Sequence, residues 1–167
     1  MGSSITLAEA TGDEGQTAVV AAAAVVAGAT TTGSGNGKDE CEPEDLIAEV
    51  AQQIVDELGY EGINEKVTEG QWNFIKENGR GLERAQGHVV HQAVADRLAE
   101  KYKIKIGKNL VPRFIYIRSI GPDYWDLLKE VYVELTTPGQ VAGHKAKKDK
   151  GPRYGTCRYA TYNLPKK

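Results

Sequence analysis

The sequence predicts an α/β (α+β) fold in which helices flank a small sheet and one extra helix lies on the N-terminal side. Two long stretches between residues 43 and 102 repeat apolar side chains every three or four positions, which is the spacing of amphipathic helices. Two later and shorter runs are rich in β-branched and aromatic residues, which favour strands. At 167 residues, 40% of them hydrophobic, the chain has enough material for one core with a tail.

The first 40 residues differ in composition from the rest of the chain. They are mostly small, and they include the run TTTGSGNG. This composition predicts a flexible linker over residues 1–40 that joins the domain at 41–167 to a larger protein. The apolar stretch at 18–29 is too short and too rich in alanine to cross a bilayer, and no basic segment precedes it. Neither a membrane span nor a signal peptide is therefore expected.

Helices are predicted over residues 43–58 and 82–102. The first begins with a proline, carries acidic residues in its first turn and is expected to end at Gly59. A short helix is predicted around residues 72–76, between two glycine-containing segments. The apolar stripes of the two long helices are expected to consist of Ile47, Val50, Ile54 and Leu58 in the first and Leu82, Val89, Val90, Ala93, Val94 and Leu98 in the second.

After the second helix, the spacing of apolar residues changes from a helical pattern to one typical of strands. Strands are predicted over residues 110–119 and 130–137, and the segment GPDYWD between them reads as a turn or a short strand. A short helix at 140–148 and a last strand at 156–163 complete the expected order, which is helix, helix, two or three strands, helix and strand.

The basic residues are concentrated in the second part of the chain. Residues 1–65 contain 13 acidic residues and one lysine, whereas residues 66–167 contain 20 Lys and Arg against 10 Asp and Glu. Such an excess favours an anionic partner such as nucleic acid, because phosphates attract Lys and Arg and release counterions on contact. A solvated charged surface explains the same residues without a partner.

Two acidic residues in the strand region suggest a metal site. Side chains alternate along the strand at 130–137, so Val133 and Leu135 are predicted to face the core and Glu134 the opposite side. In a strand apolar enough to be central, that carboxylate needs a cation as a partner. Asp123 lies near enough in a meander to reach the same Mg²⁺ or Mn²⁺, which would activate a water against a phosphodiester. The alternative is a turn and an edge strand whose carboxylates face water.

Four short motifs follow one another between residues 82 and 163. They are GHVVH at 87–91, Pro122-Asp123, a strand with Glu134-Leu135-Thr136, and a helix with Gln140 and His144. Their order resembles the PD-(D/E)xK nuclease superfamily, in which the motifs are GxxxH, Pro-Asp, ExK and a helix with a glutamine. The branch it resembles most includes nuclease domains of bacterial recombination helicases and C-terminal toxin domains of Rhs-type polymorphic toxins.

This resemblance implies a restriction-endonuclease-like αβββαβ core with a small mixed sheet. It implies hydrolysis of phosphodiester bonds with Mg²⁺ or Mn²⁺, with DNA preferred over RNA as the substrate. As in polymorphic toxins, the domain at 41–167 would be the C-terminal effector of a larger protein secreted from the producing bacterium. It would act in the cytoplasm of the target cell, and an immunity protein would neutralise it in the producer.

The resemblance also implies a set of site residues. The expected metal ligands are Asp123, Glu134 and His91, with Glu83 as an additional ligand. Asp123 and Glu134 are also expected to be catalytic, and the candidates to assist the attacking water are Gln140, Lys145 and Lys147. The residues expected to contact nucleic-acid phosphates are Arg84, Lys147, Lys148, Lys150 and Arg153. For His91 the alternative is a half-buried side chain that bonds to a backbone carbonyl, and His88 is expected at the surface.

The sequence departs from the family pattern at Thr136, where the family has a lysine that positions or activates the water. Either a neighbouring residue replaces this lysine or the domain is a nucleic-acid-binding module that has lost catalysis. A third reading is a metal-independent toxin RNase that uses His88 or His91 with a lysine as acid and base. Cys41 and Cys157 are expected to be reduced thiols, and a zinc site would need three histidines whose spacings match no zinc signature.

Overall fold

A computed structural model describes residues 41–117, 122–146 and 157–167. The predicted linker at 1–40 lies outside these ranges, and so do Lys147, Lys148, Lys150 and Arg153. The described helices are α1 (Pro43–Glu65), α2 (Glu69–Asn78), α3 (Leu82–Lys101) and α4 (Val141–Lys145). The described strands are β1 (Lys103–Ile106), β2 (Asn109–Pro112), β3 (Phe114–Tyr116), β4 (Tyr124–Asp126), β5 (Val131–Thr136) and β6 (Arg158–Thr161). The mixed α+β class predicted from the sequence is confirmed.

Helix α1 extends beyond the predicted end at Gly59. Gly59 has φ +62° and ψ −177°, which breaks the helix as expected, but the chain then resumes helical geometry to Glu65. Ile63 in this second segment is completely buried and joins the core. Tertiary packing thus continues an element that the local sequence signal ends.

Helix α2 has a clear start and end, and helix α3 has buried residues at predicted positions. Thr68 and Gln71 form a capping box at the start of α2, which is why this helix begins before the predicted 72–76 segment. Gly79 adopts a left-handed conformation with φ +62° and closes α2, as its position predicts. In α3 the predicted residues Val90, Val94 and Leu98 are fully buried.

Four strands form a mixed sheet in the order β3-β4-β5-β6. The first two pairings are antiparallel, and β5 and β6 are parallel. Strand β5 therefore has a neighbour on each side, as its apolar sequence predicts. Val133 and Leu135 face the core formed with α1 and α3, and Tyr132 packs against Trp125, with ring centres 4.4 Å apart.

The predicted strand at 110–119 is divided in two. Strands β1 and β2 form a separate antiparallel hairpin, and β3 begins the main sheet after Arg113. Strand β1, with the sequence KIKI, was not predicted, although its lysines alternate with isoleucines as the side chains of a strand do. None of the helices in the described ranges is both long and apolar enough to cross a membrane.

A buried ion pair joins the segment between β2 and β3 to β4. The side chains of Arg113 and Asp126 are 3% and 0% exposed, with 2.7 Å between Nη2 and Oδ2, and the Arg113 Nε also donates to Asp126. The Leu128 amide donates to Asp126 Oδ1 at 2.9 Å. These bonds satisfy a charge pair that burial would otherwise make costly.

Asp126→Ala is expected to lower the free energy of unfolding by about 3–5 kcal/mol, because it leaves the Arg113 guanidinium buried without a counter-charge. Urea unfolding followed by circular dichroism measures the change. Glu57→Ala is the matched control, since the Glu57–Arg97 pair, with 2.6 Å between its charged atoms, lies on the surface and should leave the midpoint nearly unchanged. Equal losses in the two variants would contradict the importance of the buried pair.

Candidate active site

The register of β4 and β5 places Asp123 beside Glu134. Asp123 immediately precedes β4, and Tyr124 in β4 pairs with Val133 in β5, so Asp123 lies next to the part of β5 that carries Glu134. The Leu135 amide donates to Asp123 Oδ2 at 2.9 Å, which fixes this carboxylate against β5. Both acidic residues line the same cavity.

His91 reaches this place from α3. Its Nδ1 lies 3.3 Å from Asp123 Oδ1, and both side chains are 18% exposed. The His91 carbonyl accepts a hydrogen bond from the Tyr124 hydroxyl at 2.9 Å, and its ring meets the Tyr162 ring edge-on. A ring nitrogen of His91 therefore faces a carboxylate. This differs from the alternative in which the imidazole bonds only to a backbone carbonyl.

The segment after β5 folds back over the same face of the sheet. The Thr136 hydroxyl donates to Gln140 Oε1 at 3.2 Å, and His144 Nδ1 contacts Glu134 Oε1. The Glu134 side chain is only 5% exposed as a result. In the sequence, His144 is identified only as a member of the last motif. Its spacing of four residues from Gln140 is the signal that places the two side chains on one helical face.

These residues line one cavity of about 750 Å³. Exposed Glu83, Arg84 and His88 on the first turns of α3 border it. Although the residue as a whole is exposed, desolvation of its imidazole, followed by the charge of Arg84, lowers the pKa of His88. His88 is thus favoured as a neutral side chain at the border of the cavity.

Two buried tyrosines also belong to this region. Tyr162 lines the cavity, and burial, followed by the charge of Asp123, raises the pKa of its hydroxyl. Burial likewise raises the pKa of Tyr124, with Asp123 as the next cause. Both phenols therefore stay protonated at neutral pH and add no negative charge beside the carboxylates.

The donors fit a hard divalent cation by their chemistry. Carboxylate oxygens are the preferred ligands of Mg²⁺ and Mn²⁺, and imidazole is an acceptable additional ligand. In the part of the chain that the structure describes, no group of three or more His, Cys, Asp and Glu side chains is arranged around a common point for a metal. Instead Asp123 contacts His91 and Glu134 contacts His144, so a cation would compete with two imidazoles for the carboxylates.

The predicted lysines and arginines differ in where they lie. Lys145 is not among the residues that line the cavity, and its ammonium lies 5.5 Å from the centre of the Tyr159 ring. Arg84 borders the cavity. The other predicted phosphate-binding residues, and the candidate water-activating Lys147, are in the segment 147–156, outside the described residues.

Comparison of the chain with models of known protein families, with curated proteins and with solved structures found no match. The functional proposal therefore rests on the chemistry and geometry of the cavity and on the motif resemblance.

Alanine substitutions at two glycines near the cavity are expected to change the stability of the protein in opposite directions. Gly87→Ala should raise the free energy of unfolding by up to about 1 kcal/mol, because alanine is the better helix former. Its Cβ would lie 3.5 Å from the Tyr162 hydroxyl, which is an ordinary contact. Gly81→Ala should destabilise the protein, since Gly81 has φ +101° and its Cβ would lie 3.3 Å from the Phe74 ring. Chemical denaturation of both variants checks this, and destabilisation by Gly87→Ala would contradict it.

Proposed function

We propose that this domain is a metal-dependent nuclease with a restriction-endonuclease-like core. The observation that carries the proposal is the presence of Asp123 and Glu134 in one cavity, which His91 and Gln140 also line. The mixed sheet with a central strand β5 is compatible with the αβββαβ order that the motifs imply. Two adjacent carboxylates at a cavity bordered by Arg84 suit a cation and a phosphodiester.

The residues have distinct roles in this proposal. Asp123, Glu134 and His91 would hold Mg²⁺ or Mn²⁺, with Glu83 as a further ligand at the border. A bound cation would polarise the phosphodiester and acidify a water molecule. The Leu135 amide holds Asp123 in place, and His144 orients Glu134.

Gln140 is the described residue best placed to replace the lysine that the family has where this chain has Thr136. Its side-chain oxygen accepts a hydrogen bond from Thr136, which orients the amide at the cavity surface. Lys147 remains a second candidate from the sequence. Lys145 is the weaker of the two lysine candidates, because its ammonium lies over Tyr159.

The motif resemblance supplies the biological part of the proposal. The substrate is DNA in preference to RNA, and the domain is the effector of a larger secreted bacterial toxin that acts in the cytoplasm of the target cell. The excess of basic residues after residue 65 supports an anionic substrate and an acidic immunity protein as the partner in the producing cell.

A second candidate function is metal-independent cleavage of RNA. The observation that favours it is the pairing of His91 with Asp123 and of His144 with Glu134 in one cavity, because a carboxylate that orients an imidazole prepares it for acid or base catalysis. In that case His144 would take the place of the lysine that the sequence alone suggested as the partner of His91.

Digestion of plasmid DNA and of total tRNA with Mg²⁺, with Mn²⁺ and with EDTA separates the candidates. The proposal predicts cleavage of plasmid with either cation and none in EDTA. Cleavage of tRNA that persists in EDTA would select the metal-independent RNase. Binding without cleavage of either substrate under all conditions would leave only a nucleic-acid-binding module.

Asp123→Ala and Glu134→Ala are each expected to reduce cleavage by roughly a thousandfold or more, since a bound cation supplies several kcal/mol of stabilisation to the transition state. Single-turnover cleavage of plasmid measures the loss, and circular dichroism verifies that the variants fold. Glu61→Ala is the control, because Glu61 is an exposed acid on α1 that does not line the cavity. Parental activity in either cavity variant would remove that residue from the mechanism.

A further inference from the structure

A second, shallower cavity adjoins the candidate active site. It has a volume of about 320 Å³ and lies between α2 and the start of α3, with Phe74, Ile75 and Gly81 among its lining residues. Arg84 and His88 line both cavities, so the two cavities are neighbours. One of them contains the carboxylates and the other the Phe74 ring.

Phe74 is unusually exposed for a large apolar side chain. It is 52% exposed, whereas the core of the domain buries its aliphatic and aromatic residues almost completely. One side of the ring faces Gly81, where a Cβ would lie 3.3 Å from Phe74 Cε1. Asn78 Nδ2 also donates to the Phe74 carbonyl at 2.9 Å, which secures the last turn of α2.

We propose that Phe74 stacks on an unpaired base of the nucleic-acid strand whose backbone enters the active-site cavity. An aromatic face next to a cation is the arrangement by which proteins bind single strands, since every base offers a π-face and every nucleotide a phosphate. Arg84, between the ring and the carboxylates, would contact the phosphate that links the stacked nucleotide to the cleaved one. This inference rests on the proposed function and refines its substrate to single-stranded or locally unpaired nucleic acid.

The geometry favours a single strand over a duplex for a simple reason. The bases of an intact duplex are stacked on one another, so a side chain on the surface reaches the face of a base only after unstacking costs a few kcal/mol. A strand that is already unpaired avoids that cost.

Fluorescence anisotropy in EDTA tests the inference without depending on cleavage. The probes are a labelled oligodeoxythymidylate of about twelve nucleotides, within the site sizes of single-strand-binding folds, and the same strand annealed to its complement. The proteins are the parent chain, Phe74→Ala, Phe74→Trp and Leu110→Ala. Leu110 is the matched control, because it is an exposed apolar residue, 66% accessible, on β2 and lines neither cavity.

Phe74→Ala is expected to weaken binding of the single strand about tenfold, as expected for the loss of one stacked base. Phe74→Trp should restore the affinity, and Leu110→Ala should match the parent. Binding of the duplex should change little in any variant. Restoration by tryptophan excludes misfolding of the alanine variant as the cause of the loss.

Unchanged single-strand affinity in Phe74→Ala, an equal loss with duplex, or no binding by the parent would overturn the inference. The proposed function is judged separately by the digestion assays. Single-strand binding through Phe74 without metal-dependent cleavage would retain the subsite and refute the nuclease. Metal-dependent cleavage together with unchanged single-strand binding in Phe74→Ala would retain the nuclease and refute the subsite.

Discussion

The hydrogen bond from the Leu135 amide to the Asp123 carboxylate is the contact on which the candidate site depends. It joins the residue before β4 to the central strand β5, one position from Glu134. The positions of the carboxylates therefore depend on the alignment of β4 with β5, and a slip of one residue in β5 would turn Glu134 to the opposite face. The buried Arg113–Asp126 pair at the other end of β4 helps to fix the alignment of β4 with β3.

Packing on both sides of the sheet determines how strongly the carboxylates of the site interact with other charges. Val133 and Leu135 anchor one face of β5 in the core, and the segment from Gln140 to His144 covers Glu134 on the other. Burial strengthens the interaction of the two carboxylates with any positive charge, because less water screens it. The imidazoles of His91 and His144 supply neighbours for these acids, and a divalent cation would compete with them for the same oxygens.

The sequence predicts the elements better than it predicts their contacts. Apolar periodicity locates α1 and α3, and alternation identifies β5 with Val133 and Leu135 facing inward. The same reasoning missed β1 and the continuation of α1 past Gly59, because lysines obscured the alternation and because burial of Ile63 is a tertiary effect. It also gave no sign of the Arg113–Asp126 pair, since nothing in the local pattern couples residues across two strands.

For the candidate site, the motifs brought Asp123, Glu134 and His91 together, but the contact of Lys145 with Tyr159 depends on side-chain packing.

Titration of the protein with Mn²⁺, followed by electron paramagnetic resonance of the free ion, measures whether Asp123 and Glu134 bind a cation. We expect saturable binding that Asp123→Ala and Glu134→Ala each weaken strongly and that Glu61→Ala leaves unchanged. Equal Mn²⁺ affinity in the parent protein and in the Asp123→Ala/Glu134→Ala double variant would show that the two carboxylates do not share a cation.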